Sequence, residues 1–464
     1  MKKLKKIIIY IIIFYAAEAF SLFSFPSRTL APLYKNVSSF PEIQFSKNDR
    51  VLIISPHPDD AALAASGVIE KCIEKGAKVK IIYATYGSHN TSTMIKKQLI
   101  HAPTPAGAIA LGKTRYYEAV NAMESLGLKR NDLIFLGFPD FGTLKIWTDH
   151  FNNRPYFSGI TMHSDTFYKT AYETGIPFTA TNELALLENI ISSFKPTKIF
   201  FPPTSDLNSD HRATGLFTEA ALFNLRNAIH PEEYTYFVHS ESWPVPKGLH
   251  YNLYLTPPTY VRNINKNWYI VSLNKREELK KEKAIKNHKS QVETNPDFMY
   301  SFVRKNEIFL KFNEEKTDSP LPLWTREEME KFHITPFIES AKISKGEKYT
   351  DFYIRLYRGI PWFSKLYIFL YPERTDMTFS NAPKYKIAIT RNITKKLSVQ
   401  LTNNGKRIFT SSDNLRGKSK ELTLDIEVNN KYLLNSTSFF SAIQIEQNEI
   451  RISETPWWDI KLHR

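Results

Sequence analysis

The sequence predicts an α/β chain: a Rossmann-like, mostly parallel sheet with helices on both faces, followed by a C-terminal all-β, sandwich-like domain. Three observations carry that expectation. Residues 50–310 alternate short apolar runs with helical patterns. From Thr350 onward, strand patterns succeed one another without helices between them. Finally, 464 residues exceed what one hydrophobic core organises, and 42% hydrophobic with 14% aromatic content can support two.

Val51-Leu52-Ile53-Ile54 reads as a short, fully apolar strand, and Ala61 to Glu74 as the helix after it. Lys78 to Ala84 is the next strand. Thr114 to Leu126 has helical spacing and stops at Gly127, before the strand Leu133 to Leu136. Glu183 to Phe194 reads as helix, Lys198 to Phe201 as strand, and Arg212 to Asn224 as helix. Between Gly87 and Gly112, and from Phe138 to Pro177, no clear periodicity exists. Loops of that length are often lids or substrate walls, or else plain insertions.

Residues 313–349, with Asn313-Glu314-Glu315-Lys316 and Ser319-Pro320-Leu321-Pro322, resemble a linker between a domain at 45–312 and a β domain at 350–464. In the latter, Lys396 to Thr402 alternates, with Leu397, Val399 and Leu401 on one face. Asn403-Asn404-Gly405 supplies turn chemistry for a return strand over Arg407 to Thr410. Leu422, Leu424, Ile426 and Val428 repeat the alternation. Trp457-Trp458 is either a platform for sugar rings or part of the core.

At the N-terminus, Lys2, Lys3, Lys5 and Lys6 precede an apolar run from Ile7 to Ala17 and the small-residue triplet Ala17-Glu18-Ala19. That order reads as a signal peptide over 1–19. The run falls short of the roughly 20 residues that span a bilayer, and lengthening it into an anchor would place Glu18 within the span, which is costly. An exported, periplasmic or extracellular protein is therefore expected, with an uncleaved anchor as the alternative. Removing residues 1–19 lowers the net charge by three, from +15 to +12. A basic balance favours anionic glycans or membrane surfaces, with nucleic acid placed last by export, although Lys-rich stretches such as Lys280 to Lys289 also read as plain solvated helix faces. Cys72 is the single cysteine, so no intrachain disulfide forms.

The chemistry concentrates in two places. In Ser55-Pro56-His57-Pro58-Asp59-Asp60, one imidazole and two carboxylates crowd directly behind a buried strand. One carboxylate alone would read as a helix cap. Two beside a histidine repel one another unless a cation relieves them, and imidazole nitrogen with carboxylate oxygen suits zinc, with iron or cobalt able to use the same donors. A catalytic zinc takes a third protein ligand, and Asp206-Leu207-Asn208-Ser209-Asp210-His211 offers one, again between a strand and a helix. Both segments fall at the carboxyl ends of strands, where open α/β sheets place their crevice.

Over roughly residues 48–310 the chain resembles the PIG-L or LmbE-like de-N-acetylases. The resemblance rests on HPDD at 57–60 and DHRAT at 210–214, with RYYEAVNAMESLG at 115–127, FLGFPD at 135–140 and KAIKNHKSQ at 283–291 in the family's order. It implies zinc ligands at His57, Asp60 and His211, a general base at Asp59, and substrate contacts at Arg115 and Asp140. The last two read equally as a helix-surface charge and a turn residue. Two departures stand out: Ala61 where many members carry Glu, and Asn208 where many carry an oxyanion-stabilising His. His239 and His288 are the candidates to compensate at Asn208, and packing histidines otherwise.

The expected function is hydrolysis of an N-acetyl group from an amino sugar in a glycoconjugate. The partners would be that substrate, a polysaccharide or a membrane surface, without specific nucleic acid. Two alternatives stay open: a non-sugar acyl amine as substrate, and a glycan-binding protein that has lost turnover through Ala61 and Asn208.

Overall fold

The computed structural model describes residues 37–462 apart from 99–102, 153, 241, 259–260, 262–266, 312–314, 317–320, 322, 325, 327–328, 330–333, 360, 362, 392–396 and 409–410. The expected signal peptide, 1–19, lies outside the described residues. Among the described residues, no helix is long and apolar enough to cross a membrane.

In the first half of the chain the elements are β1 (Arg50–Ser55), α1 (Asp60–Lys75), β2 (Lys78–Thr85), α2 (Thr91–Gln98), α3 (Pro105–Leu126), β3 (Leu133–Phe138), α4 (Thr143–Asp149), α5 (Ala180–Phe194), β4 (Lys198–Phe201), α6 (Ser209–Leu225) and β5 (Glu232–Thr235). They are followed by β6 (Trp268–Ser272), α7 (Lys275–Asn287), α8 (Lys289–Val292), α9 (Pro296–Tyr300) and β7 (Asn306–Lys311). The sheet is seven-stranded, in the order β3-β2-β1-β4-β5-β7-β6. Strands β1 to β5 pair in parallel, and β7 runs antiparallel to β5 and β6. The unbroken apolar run of β1 follows from burial on both faces: Val51 and Ile53 enter the core beneath α1, α3 and α7, while Leu52 and Ile54 enter the opposite core beneath α5 and α6. The strand order reverses at β1, which pairs with β2 on one side and β4 on the other. The crevice of such a sheet opens at that reversal, and both sequence motifs leave from it.

The stretch from Gly87 to Gly112, read as aperiodic, contains α2 and the first turns of α3. Helix α3 starts early because the Thr104 side chain accepts the Gly107 N–H and Pro105 fills the first turn. Its apolar stripe is broken by Gly107, Gly112 and Thr114, which hid the period.

The second half is all β: β8 (Glu315–Lys316), β9 (Ile338–Lys345), β10 (Tyr349–Leu356), β11 (Ser364–Arg374), β12 (Tyr385–Arg391), β13 (Leu397–Asn403), β14 (Lys406–Ile408), β15 (Leu415–Lys420), β16 (Thr423–Asn429), β17 (Ser436–Gln447), β18 (Ile450–Glu454) and β19 (Trp458–Lys461). A four-stranded sheet, β15-β16-β10-β9, faces an eight-stranded one in which β14, β13, β12, β11, β17, β19 and β8 run in order and β18 pairs with β17. The β13–β14 hairpin turns at Asn404 and Gly405, both at positive φ, 48° and 77°, which matches the twist of the strands it joins.

Two expectations need correcting here. The supposed linker, 313–349, contains β9 and buries Leu321, Trp324 and Met329, while Ser319, Pro320 and Pro322 lie outside the described residues. Leu422 is not in the alternating strand but in the turn before β16, where it is 38% exposed.

The two halves share a core. Along β11, Leu366, Ile368 and Leu370 face the four-stranded sheet, whereas Phe369 and Tyr371 point the other way, onto α4, α5 and α6. Trp457 and Trp458 are both buried, at 4% and 2% exposure, so the pair offers no face to a sugar. Trp457 joins the core of the α/β half, edge to face with Trp147 at 6.1 Å, and Trp458 joins the core of the sandwich.

Candidate metal centre

The tight turn after β1 puts His57, Asp59 and Asp60 at the first turn of α1. Asp59 occupies the cap position but makes no capping hydrogen bond. Asp60 turns back, and its Oδ2 accepts the His57 backbone N–H at 2.8 Å. Neither carboxylate is thus a helix cap, which disposes of the purely structural explanation of the motif.

Across the reversal point, the loop after β4 carries an Asp-x-Asn-x-Asp run that folds on itself. Asp206 Oδ1 accepts the Asn208 N–H at 2.9 Å, and Asn208 Oδ1 accepts the Asp210 N–H at 2.8 Å. That opens α6 and delivers His211 to His57. His57 Nδ1, His211 Nε2 and Asp60 Oδ2 form a triangle with sides of 3.3, 3.2 and 3.3 Å. One face of a tetrahedron built on zinc bonds of 2.0–2.1 Å has edges of about 3.3–3.4 Å. The three donors therefore fit a tetrahedral zinc.

The remaining ring nitrogens agree. His57 Nε2 lies 3.2 Å from Asp140 Oδ1 and 3.3 Å from Asp210 Oδ2, so it carries the hydrogen and leaves Nδ1 with its lone pair. His211 Nδ1 faces Asp206 Oδ2 at 3.5 Å, which leaves Nε2 as the donor. These carboxylates are themselves held: Asp210 by the Phe141 N–H at 2.6 Å and the Thr143 hydroxyl at 2.5 Å, Asp206 by the N–H groups of Val238 and His239, each at 3.1 Å. Asp59, Asp60, Asp140, Asp206 and Asp210 are all buried, a concentration of negative charge that a divalent cation offsets.

Electrostatics follow from this crowding. Burial works against ionisation of Asp60, yet His211 and His57 hold its carboxyl well below the usual range. Burial likewise opposes the charged forms of both ligand imidazoles. Their carboxylate neighbours win, holding His57 well above its ordinary value and His211 up at about 9, so a metal ion held by these nitrogens would displace a proton. Burial, followed by repulsion from His211, pushes His239 down to about 4, so it is neutral at pH 7.

The cleft above the donors is about 820 Å³ with its open mouth included, and Arg115, Asp140, Asn208 and His239 line it beside Asp59. Arg115 holds Asp59 Oδ1 at 2.7 Å and the Gly87 carbonyl at 2.8 Å. Gly87 sits at φ +64°, and a Cβ there would overlap the Arg115 guanidinium, so glycine is required. One turn along α3, Glu118 accepts the N–H and hydroxyl of Ser290 at 2.7 and 2.6 Å. This seats α8 so that Gln291 reaches the cleft, where its Oε1 accepts from the Asn90 amide at 2.8 Å.

His288 is the expected site residue that the structure does not bring to the cleft. At the C-terminal end of α7 it turns into the interior, fully buried, and burial pushes its pKa down to about 4. Asp206, Asp210, Phe141 and Gln291 are the site residues that sequence reasoning left without a role. The i, i+2, i+4 acidic and amide spacing running into α6 was the available signal for the first two.

The open α/β crevice thus brings two imidazoles and a carboxylate together beside a further carboxylate, a cluster that could hold a metal ion. Residues 52–222 match the family model described as PIG-L: GlcNAc-PI de-N-acetylase, and the chain carries a PIG-L family domain over that span. No curated protein matches the chain. Among solved structures, the chain is similar to the N,N'-diacetylchitobiose deacetylase from Pyrococcus horikoshii, at 20% identity over 62% of this chain and 87% of that one, with a TM-score of 0.36. It is similar also to the A40926 pseudoaglycone deacetylase Dbv21, at 16% identity over 57% and 97%, TM-score 0.37. A third is the 4-carboxy-2-hydroxymuconate hydratase GalB from Pseudomonas putida, at 15% identity over 54% and 82%, TM-score 0.35.

Proposed function

We propose that this protein is a zinc-dependent N-deacetylase that removes the acetyl group from an amino sugar in a glycoconjugate, yielding acetate and a free amine. The observation that carries the reading is the donor triangle of His57, Asp60 and His211 with the unligated carboxylate of Asp59 beside it. The matching family, described as PIG-L: GlcNAc-PI de-N-acetylase, supports the acetamido sugar as the substrate class.

When bound by those three residues, zinc supplies Lewis acidity toward water and the acetyl carbonyl. Asp59 accepts the proton of the water that attacks the carbonyl carbon, then returns it to the departing amine nitrogen as the C–N bond breaks. Arg115 keeps the Asp59 carboxylate aimed. Asn208 spends its Oδ1 on the Asp210 N–H, which leaves its amide nitrogen to donate to the oxyanion. It takes no part in proton transfer. His239, neutral and in edge contact with His211 at 4.7 Å, offers a second N–H to the same oxygen.

We place the reaction outside the cytoplasm, supported by the Lys-rich, apolar N-terminus and the +12 charge of the remainder. The test is metal content and amine release by the purified protein on acetylated amino sugars and on simple acyl amines. Amine from the sugars alone supports the reading. Amine from the acyl amines alone transfers the mechanism to another substrate class, and sugar binding without amine replaces it with a binding protein.

A further inference from the structure

The metal cleft does not end at its own rim. Phe141, Asn208 and His239 also line a second groove of about 900 Å³ with its mouth included, whose far wall is β18 of the sandwich. We propose that the two form one elongated site: the acetylated sugar sits over the metal ligands, and the adjoining unit of the same glycan crosses Phe141 into the groove against β18. The proposal deepens the deacetylase reading and rests on it.

Phe141 marks the crossing. The residue is 52% exposed, and its backbone sits at φ +57°, a left-handed conformation unfavourable for a bulky side chain. The strain is held in place because its N–H is tied to Asp210 at 2.6 Å. Its ring stands edge-on to His89 at 5.1 Å, which leaves an aromatic face at the boundary of cleft and groove. Strain maintained at an exposed aromatic beside a metal centre is a mark of function.

The groove has the two-sided chemistry that a pyranose ring presents. Leu207, Ile334 and Ile452 supply an apolar patch. Arg451 and Ser453 supply donors, and the Ser453 hydroxyl is buried with no hydrogen-bond partner among the described residues. Glu454 binds Arg212 at 2.5 Å and Arg451 at 2.8 Å, fixing β18 to the first turn of α6, the same turn that carries His211. The sandwich is thereby a wall of the substrate site, positioned by a buried ion pair next to a metal ligand.

The test uses the zinc-loaded full chain with two probes, N-acetylglucosamine and its β-1,4-linked tetramer. Variants Ile452→Trp, which fills the groove, and Arg451→Ala, which removes a donor, are checked for unchanged melting. The expected result is a KM for the tetramer raised on the order of tenfold, with the single sugar and kcat unchanged. Equal effects on both probes, or no effect, overturn the groove. Calorimetry of the tetramer on Asp59→Asn protein reads binding without turnover. Binding that weakens with Ile452→Trp sustains the groove even where no amine is released, and absence of tetramer binding overturns it.

Discussion

His57 Nδ1 and His211 Nε2 face one another across 3.3 Å, both within 3.3 Å of Asp60 Oδ2. Two imidazole nitrogens aimed at each other and at one carboxylate oxygen call for a proton or a metal ion between them. We therefore expect about one equivalent of zinc in the purified protein and essentially none in a His57→Ala, His211→Ala double variant, together with loss of all amine release. Chelation should lower the melting temperature of the parent alone, because metal binding stabilises only the folded site. A double variant that keeps its metal would remove these ligands from the account.

Asp59 is held by Arg115 and ligates nothing in the donor triangle. Asp59→Asn should keep its zinc and lower kcat on the order of 10²–10⁴-fold. Turnover at the parental rate would exclude Asp59 as the base.

Asp206 accepts three backbone N–H groups and faces His211 Nδ1. Truncation to Ala leaves the ligand set whole but the His211 ring unsteered, and zinc affinity should fall on the order of 10–100-fold in a competition titration with a chelator. An unchanged affinity would show that packing alone orients His211.

Because Trp457 lies in the core of the α/β half, the two halves should unfold in one calorimetric transition. Trp457→Ala should cost about 3–5 kcal/mol and keep that single transition. Two separated transitions in the parent would mean that the shared core does not couple them.

Asp149 links α4 to the sandwich through Lys386 at 3.0 Å and pairs with Lys145 at 2.6 Å. Burial raises its pKa, and the two lysines outweigh that to hold it at about 2, below the ordinary 3.8. A depressed carboxylate contributes stability that is full above its unfolded value and lost as pH falls from 3.8 through 2. Screening at these partly exposed groups leaves a contribution of about 1 kcal/mol. Denaturant titrations at pH 6 and pH 2.5 should therefore show a smaller acid loss for Asp149→Asn than for the parent; equal losses would refute the assignment.

Much of this was readable from local pattern. The apolar run Val51 to Ile54, the Gly127 stop of α3 and the Asn404-Gly405 hairpin each announce themselves within a few residues. The HPDD segment likewise shows a crowding of charge that needs no fold to be noticed. What stayed hidden depends on distant partners. Ser290-Gln291 gains its place only because Glu118, far away in sequence, seats it. His288 was withdrawn from the cleft by the direction of one helix end.

The sequence by itself determined the α/β-then-β order, the residue types able to hold a cation, and the chemistry those types allow, because period, turn residues and donor atoms are local properties. Only the tertiary structure decided that three donors form a 3.3 Å triangle, that Trp457 and Trp458 serve two cores instead of a sugar, and that β18 walls the groove beside the metal cleft. The reason is physical: burial and ligand geometry depend on which strands lie side by side, and the pairing of β1 with β4, about 150 residues apart, is set by packing of the whole sheet.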